Sequence, residues 1–299
     1  QYTEKDFSFT GTKVAAGTDK GSYAMGLKAE QFKNTSQRFS NVKFIVEDGK
    51  LTIDPIALTI TAGSESKVYD GTPLSKNTYS VTGDLASGDA ITSVTVKGSQ
   101  TEVGKADNVA SNAVVKRGDK DVTANYAITY EKGQLEVTKR GVPSNPDDPT
   151  DPLLVKVIAN DNTVTYDGKA HGENGYTTSN LAPGQKVETV EIAGSQTEVG
   201  KYTDELVPSQ AKIVDKDGKD VTSNYQITYV AGDLTINPIG AEVIVKIKGN
   251  SKTVTYNGQE QSVEGYQIVS ISNSQYTEKD FSFTGTKVAA GTDKGSYAM

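Results

Sequence analysis

Three patterns in this chain carry residue types that could do chemistry. "VDKDGKDVT" (214–222) gathers Asp215, Asp217 and Asp220 around Gly218, and oxygen-rich loops with such spacing can hold Ca²⁺. The stretch lacks the distal bidentate Glu of an EF-hand, and its counterpart "VKRGDKDVT" (115–123) has Lys116 and Arg117 among its acids. A plain turn is therefore the expectation, and these aspartates are the weak metal candidates. The second pattern is a Lys, an Asn and a carboxyl group, which together can close an isopeptide bond with loss of ammonia. Asn41, Asn125 and Asn224 recur at matching late positions, and Lys156 and Lys246 at matching early ones. Lys156 alternates with the apolar Val155 and Val157, so it should face outward, where a lysine stays solvated; no crosslink is expected. The third pattern is Tyr-Asp-Gly, at Tyr69-Asp70-Gly71 and Tyr166-Asp167-Gly168, with Tyr256-Asn257-Gly258 as a variant. Asp-Gly favours a tight turn and Tyr can anchor the strand before it, so its expected role is structural.

Composition closes other routes. A single His171, in the Gly-rich loop "GKAHGENGY", leaves no His dyad and no multi-His metal site, and it should be a solvated loop residue. Cys is absent, which removes disulfides and thiolate sites. The net charge of −7, with both signs interspersed, argues against nucleic acid, whose phosphates need clustered Lys and Arg. No apolar run is long enough to span a bilayer, so no membrane insertion is expected within this segment. No carboxylate pair is singled out for acid–base work, and no Gly-rich phosphate cradle opens a helix. The reading is not an enzyme, with no cofactor.

Repeats organise the rest. "GSQTEVGK" occurs at 98–105 and again at 194–201, and residues 1–25 are identical to residues 275–299. A module of roughly ninety residues runs from 56 to 140 and again from 153 to 238. Each copy opens on an alternating strand ("IALTIT", "LLVKVI"), passes Tyr-Asp-Gly and "GSQTEVGK", and ends on "DVTANYAITYEKGQLEV" (121–137) or "DVTSNYQITYVAGDLTI" (220–236). That ending reads as a hairpin whose Gly takes positive φ. Residues 239–299 match the opening part of such a module and residues 1–55 the closing part, Asn41 standing where Asn125 and Asn224 stand. The chain thus reads as one period of an array, cut with an overlap.

Two joints cross a single proline, Pro55 in "LTIDPIALTITA" and Pro238 in "LTINPIGAEVIV". Proline fixes φ and donates no hydrogen bond, so each should end a ladder and stiffen the joint. The joint at 141–152, "GVPSNPDDPTDP", should be an extended Pro/Asp-rich spacer. Thr, Val and Tyr with many Gly-marked turns predict an all-β chain, a tandem array of small Ig-like β-sandwich modules forming an elongated rod; β-grasp-like modules are the alternative. "LASGD" (85–89) and "LAPGQ" (181–185) read as turns, and "MGLKAEQFKN" (25–34) as at most one helical turn.

The order "VYDGTPL", "VTGDLASGD", "GSQTEVG", "DVTANYAITYEKGQLEV" resembles the MBG or YDG repeats of large bacterial cell-surface proteins. The resemblance covers both complete modules well and the split one loosely, since that one has Tyr-Asn-Gly and lacks "GSQTEVG". It implies an extracellular location at a bacterial cell wall and a stalk that projects an adhesive element. It supplies no catalytic residues. Expected partners are neighbouring repeats of the same protein. The alternatives are multivalent binding of a host glycan, mucin or matrix protein, and self-association into a fibre or surface layer.

Overall fold

The computed structural model describes residues 1–299. The chain packs as two compact units. The first comprises residues 1–154, 180–186 and 214–226, and the second residues 155–179, 187–213 and 227–299. Strands dominate, and helical residues are confined to three-residue 3-10 turns. In the first unit the strands are β1 (Phe7–Phe9), β2 (Gly21–Ala24), β3 (Phe32–Asn34), β4 (Lys50–Ile53), β5 (Ile56–Ala62), β6 (Glu65–Val68), β7 (Tyr79–Thr82), β8 (Asp89–Lys97), β9 (Gly104–Arg117), β10 (Lys120–Asp121), β11 (Tyr126–Glu131) and β12 (Gly133–Thr138).

Strands β5 to β12 build the module at 56–140 from two sheets. One is ordered β11-β5-β7; the other runs β10-β9-β12-β6, with β8 also on β9. Alternation does what the sequence suggests. Leu58, Ile60 and Ala62 of β5 point inward and are at most 3% exposed. Leu58 packs with Val115, Val122 and Tyr126, and Ile60 with Ala110 and Ala113 of the opposite sheet. The burial of Leu58, Ile60 or Val115 contributes about 1.5–3 kcal/mol each. Both sheets are mixed: β5 runs parallel to β11 and β6 parallel to β12, whereas Ig sheets are antiparallel.

The predicted closing hairpin does not form. Strands β11 and β12 are consecutive but lie in different sheets, β11 on β5 and β12 between β9 and β6. Gly133 sits where the chain crosses over, and its φ is not positive. It is needed for room: a Cβ there would lie 2.3 Å from the Gly63 carbonyl oxygen and 2.5 Å from that of Ala62. Gly232 repeats this against Ala159 and Asn160. Gly133→Ala is expected to cost about 3 kcal/mol, the upper end for overpacking a filled site, measured as a lower denaturation midpoint.

In the second unit the strands are β13 (Val155–Ala159), β14 (Asn162–Thr165), β15 (Tyr176–Ser179), β16 (Lys186–Ala193), β17 (Gly200–Val214), β18 (Ile227–Val230), β19 (Gly232–Asn237), β20 (Val245–Gly249), β21 (Gln261–Glu264), β22 (Tyr266–Ile271) and β23 (Val288–Gly291), the first residue of β16 and the last of β17 falling to the other unit. The sheets β15-β13-β18 and β14-β19-β17-β16 repeat the order of the preceding module. Leu206, Leu234, Ile236 and Ala159 form the core, with Tyr166 and Tyr202 packed against it. Both long strands carry a residue in the left-handed region, Asn112 (φ 51) in β9 and Gln210 (φ 52) in β17. The next N–H in each case, Ala113 or Ala211, donates at 2.9 Å to a tyrosine hydroxyl, Tyr130 or Tyr229.

Two joints differ from expectation. Residues 141–152 fold into successive turns instead of running extended, closed by the N–H groups of Asp148, Asp151 and Leu154 on carbonyls three residues earlier. Asp151, 5% exposed, holds them by accepting the N–H groups of Ser144 (2.6 Å) and Leu153 (2.8 Å). Asn and Asp that bond the backbone two residues on make turns outcompete polyproline geometry. Two residues, Asp54 and Pro55, separate β4 from β5, whereas after Pro238 no strand begins until Val245.

The two partial modules form smaller sheets: β1 with β3 and β2 with β4 in the first unit, β20 with β22 and β21 with β23 in the second. Phe7, Phe9, Phe32 and Phe44 form an aromatic cluster in the first of these. The duplicated segment is informative. Its local capping-box turn forms both times, Thr3 with Asp6 and Thr277 with Asp280. Its strands differ: Phe7–Phe9 is a strand and Phe281–Phe283 is not. A turn is a local object, whereas a strand needs a partner.

Candidate functional site

The residues that recur with the same contacts in the first unit cluster around two asparagines. Asn224 is 2% exposed. Its carboxamide oxygen accepts the Val103 N–H at 2.8 Å, and its NH2 donates to the Glu102 carboxylate. Lys219 Nζ reaches the other Glu102 oxygen at 2.5 Å. At Asn125 the set repeats. The oxygen accepts the Lys20 N–H at 2.7 Å, the NH2 donates to Asp19 at 2.9 Å, and Lys120 Nζ lies 3.0 Å from the same carboxylate. In sequence terms, a loop Thr-Asp/Glu-x-Gly (18–21, 101–104) grips Lys-Asp-Val-Thr-x-Asn (120–125, 219–224) of the next module. We call this contact a clasp.

Local structure presents each half. The Asn follows a 3-10 turn, Thr123–Asn125 or Thr222–Asn224, started by an aspartate that accepts the N–H two residues on: Asp121 from Thr123 and Asp220 from Thr222. The carboxylates are stabilised as anions. Hydrogen bonding from Lys219, and then Asn224, holds Glu102 below its ordinary pKa against the opposing effect of burial. Asn125 first and then Lys120 do the same for Asp19. Glu102 in turn raises the Lys219 pKa, first by its hydrogen bond and then by its charge. Lys219 is 61% exposed and its Nζ bonds the Glu102 carboxylate, so the set is arranged as a surface ion pair beside a buried asparagine. Lys156 is half-buried on β13, and the lysine whose Nζ reaches Glu102 is Lys219.

Tyr69 anchors the other side. It is 2% exposed, its ring meets Tyr225 edge-on at 5.6 Å, and its hydroxyl accepts from Gln185 Nε2 at 2.9 Å. The Tyr225 hydroxyl donates to Gln185 Oε1 at 2.6 Å and accepts the Ala182 N–H at 3.0 Å. Tyr126 treats the turn at 85–89 alike, accepting from Ala86 and donating to Asp89 at 2.6 Å. Arg140 adds a backbone pair with Asn224 and Gln226, while its guanidinium holds the Asn180 carbonyl at 2.6 Å.

The Tyr-Asp-Gly sites are turns. Asp70 accepts the Thr72 N–H at 2.8 Å, Asp167 the Lys169 N–H at 2.9 Å, and Asn257 the Gln259 N–H at 3.0 Å, so Asn serves as well as Asp. Gly71, Gly168 and Gly258 all have positive φ, +80, +81 and +74. Tyr69 and Tyr166 donate their backbone N–H to Thr138 and Asn237, tying the turn to the last strand. Against these, segment 58–136 matches the family of MBG domains of the YGX type. The match runs from within β5 to within β12 and so spans nearly the whole of the module at 56–140. The module after it repeats that sheet order, its tyrosines and its turns. A search of curated proteins found no relative.

Other candidates fall into place beside the Tyr-Asp-Gly turn. Asp215 accepts the N–H groups of Asp217 and Lys219, and Asp217 pairs with Lys216. No group of three acidic or His side chains converges as a cation would need. His171 is no free loop residue: its ring meets Asp167 at 2.8 Å and its backbone exchanges two bonds with Gln196, as Leu74 does with Gln100. Pro55 is half-buried and Pro238 exposed. Sequence reasoning missed Glu102, Lys219, Gln185 and Tyr225; for Glu102, Lys219 and Tyr225 the signal was there in strings that repeat without change, whereas Gln185 stands where the preceding module has Asp89.

Asp70 gives a pH expectation. Burial raises its pKa, but the Lys67 and Thr72 hydrogen bonds outweigh that and bring it from 3.8 to about 2. A folded-state pKa below the unfolded one means a stabilisation fully present above pH 3.8 and lost as pH falls toward about 2. The carboxylate is 41% exposed, so screening holds the effect to about 1 kcal/mol. Asp70→Asn should flatten this part of the acid-unfolding profile.

Proposed function

We propose that this chain is a repeat region of a bacterial surface protein and serves as a stalk, holding an adhesive element away from the cell wall. The match of residues 58–136 to MBG domains supports a surface-protein repeat region. The stalk reading rests on one observation: the clasp recurs at the same register at Asn125 and Asn224. Joints that repeat with the module set a fixed length per repeat and pass load from one module to the next. The expected form is a rod of sandwich modules on the outside of the cell, with the neighbouring repeats as its main partners.

Small-angle X-ray scattering tests this. A compact globule of this length has a radius of gyration of about 19 Å. The stalk reading requires a value well above that, and a value near 19 Å would count against it. A second reading, weak multivalent binding of a host glycan or protein, has Tyr79, Tyr130 and Tyr229 in its favour, each 38–39% exposed. Two of these three already spend their hydroxyls on strand backbone, which favours structure. A glycan array comparing the chain with a Tyr79→Ala, Tyr130→Ala, Tyr229→Ala triple variant separates the two: binding lost in the variant would establish the second reading.

A further inference from the structure

An asparagine followed by glycine is the pair in which a side-chain amide reacts most readily with its own backbone. The next backbone nitrogen, once deprotonated, attacks Cγ, and glycine has no Cβ to obstruct that approach or to restrict φ and ψ. Among the asparagines of this chain, only Asn174 and Asn257 precede glycine. Their surroundings differ. Asn174 is tied down: its NH2 donates to the Asp161 carbonyl at 3.2 Å, its own carbonyl accepts from Asn160 Nδ2 at 3.0 Å, and the Gly175 carbonyl accepts the Asn160 N–H at 3.0 Å. The Asn257 side chain has a single bond, its oxygen accepting the Gln259 N–H at 3.0 Å.

That bond folds the side chain back over the following peptide and brings Cγ toward the Gly258 nitrogen. It also aims a donor at the oxygen on which negative charge builds when Cγ becomes tetrahedral. Gly258, at φ +74, has no backbone acceptor for its N–H. Asn34 and Asn273 accept the N–H two residues on in the same way, but Thr35 and Ser274 follow them. Glycine and the oriented donor coincide only at Asn257. In both complete modules this place lies at the surface, the Asp70 and Asp167 side chains being 41% and 46% exposed. Water therefore reaches it in a finished module, and the turn folds around an aspartate there.

We propose that Asn257 is a site of spontaneous deamidation, which converts the Tyr-Asn-Gly of this module into Tyr-Asp-Gly. The Gly258 nitrogen gives its proton to solvent base and bonds Cγ. The Cγ–Nδ2 bond breaks, the nitrogen leaves as ammonia, and a succinimide closes. Water then adds to the side-chain carbonyl and restores the normal backbone with aspartate, or adds to the main-chain carbonyl and leaves isoaspartate, linked through Cγ. One water is consumed, one ammonia is released, and nothing is oxidised or reduced. The aspartate product takes the Asp70 turn; isoaspartate does not, because its backbone carries an extra carbon. Lys67 and His171 bond Asp70 and Asp167, whereas Val254 and Gln261 stand at those places beside residue 257, so the new charge is unpaired. The formal charge falls by one from −7. The step does not run backward, so the charge of this module records the time since synthesis.

The test follows the full chain in mildly alkaline buffer by peptide mass spectrometry, isoaspartate detection and ion-exchange chromatography. Asn257 should exchange NH2 for OH at least about tenfold faster than Asn174 or Asn273. Isoaspartate should appear at 257 beside aspartate, in step with a more acidic form of the chain, and faster at higher pH. Asn257→Gln should suppress the early acidic form, and Gly258→Ala should slow it by about tenfold or more. Asn257 reacting no faster than Asn174 or Asn273 overturns the proposal. Aspartate without isoaspartate does so too, since it would mean direct hydrolysis, as does an early acidic form that survives Asn257→Gln.

Discussion

Tyr69→Ala is expected to unfold the first unit at markedly lower denaturant concentration while leaving the second unit's transition in place. The ring is buried, sits edge-on to Tyr225 and takes a hydrogen bond from Gln185. Removing a ring so placed costs about 3–5 kcal/mol through lost burial and the cavity left behind. Tyr69→Phe keeps the ring and loses only the hydroxyl, so about 1 kcal/mol is expected. If both variants cost the same, the hydroxyl and not the packing carries the site. The chain has two units, so the transitions must be followed by a probe in each rather than as a single midpoint.

Asn224→Ala is expected to open the clasp. It strands the Val103 N–H and takes away a donor to the Glu102 anion, in a place where the side chain is 2% exposed. One neutral and one charged hydrogen bond together set the cost at about 2–4 kcal/mol. Hydrogen exchange at Val103 reads it directly, because that amide's only observed acceptor is the Asn224 oxygen. Asn125→Ala should have the same effect on Lys20 at smaller size, since Asn125 is half-buried. Unchanged protection at Val103 would mean that the clasp does not hold the loop.

Much of the architecture could be read from the letters. Alternation in "LTIT" placed Leu58 and Ile60 in the core, and the Asp-Gly and Leu-Ala-x-Gly turns form as expected, Gly88 and Gly184 at positive φ. These are local properties of backbone and periodicity. The closing hairpin failed because one glycine between two strands is compatible with a hairpin and with a crossing, and only the Gly63 carbonyl beside Gly133 decides which. The spacer turns instead of extending because the Asx bonds of Asn145 and Asp148 outcompete the polyproline preference of its prolines. The clasp was out of reach of any spacing rule: Asn224 and Glu102 are 122 positions apart. Buried Asn108 was likewise silent, though its NH2 links the Gly63 and Lys76 carbonyls.

The parallel ladder between β5 and β11 bears on how the module at 56–140 would answer a pull. Tension entering at Ile56 and leaving at Thr138 travels along the strands, and the rungs from Ile56–Tyr126 to Thr61–Glu131 lie across that line. They are loaded in shear and must fail together, whereas an antiparallel pair pulled from one end unzips rung by rung. A tether built this way would hold its length up to a sharp yield force and then give way one module at a time.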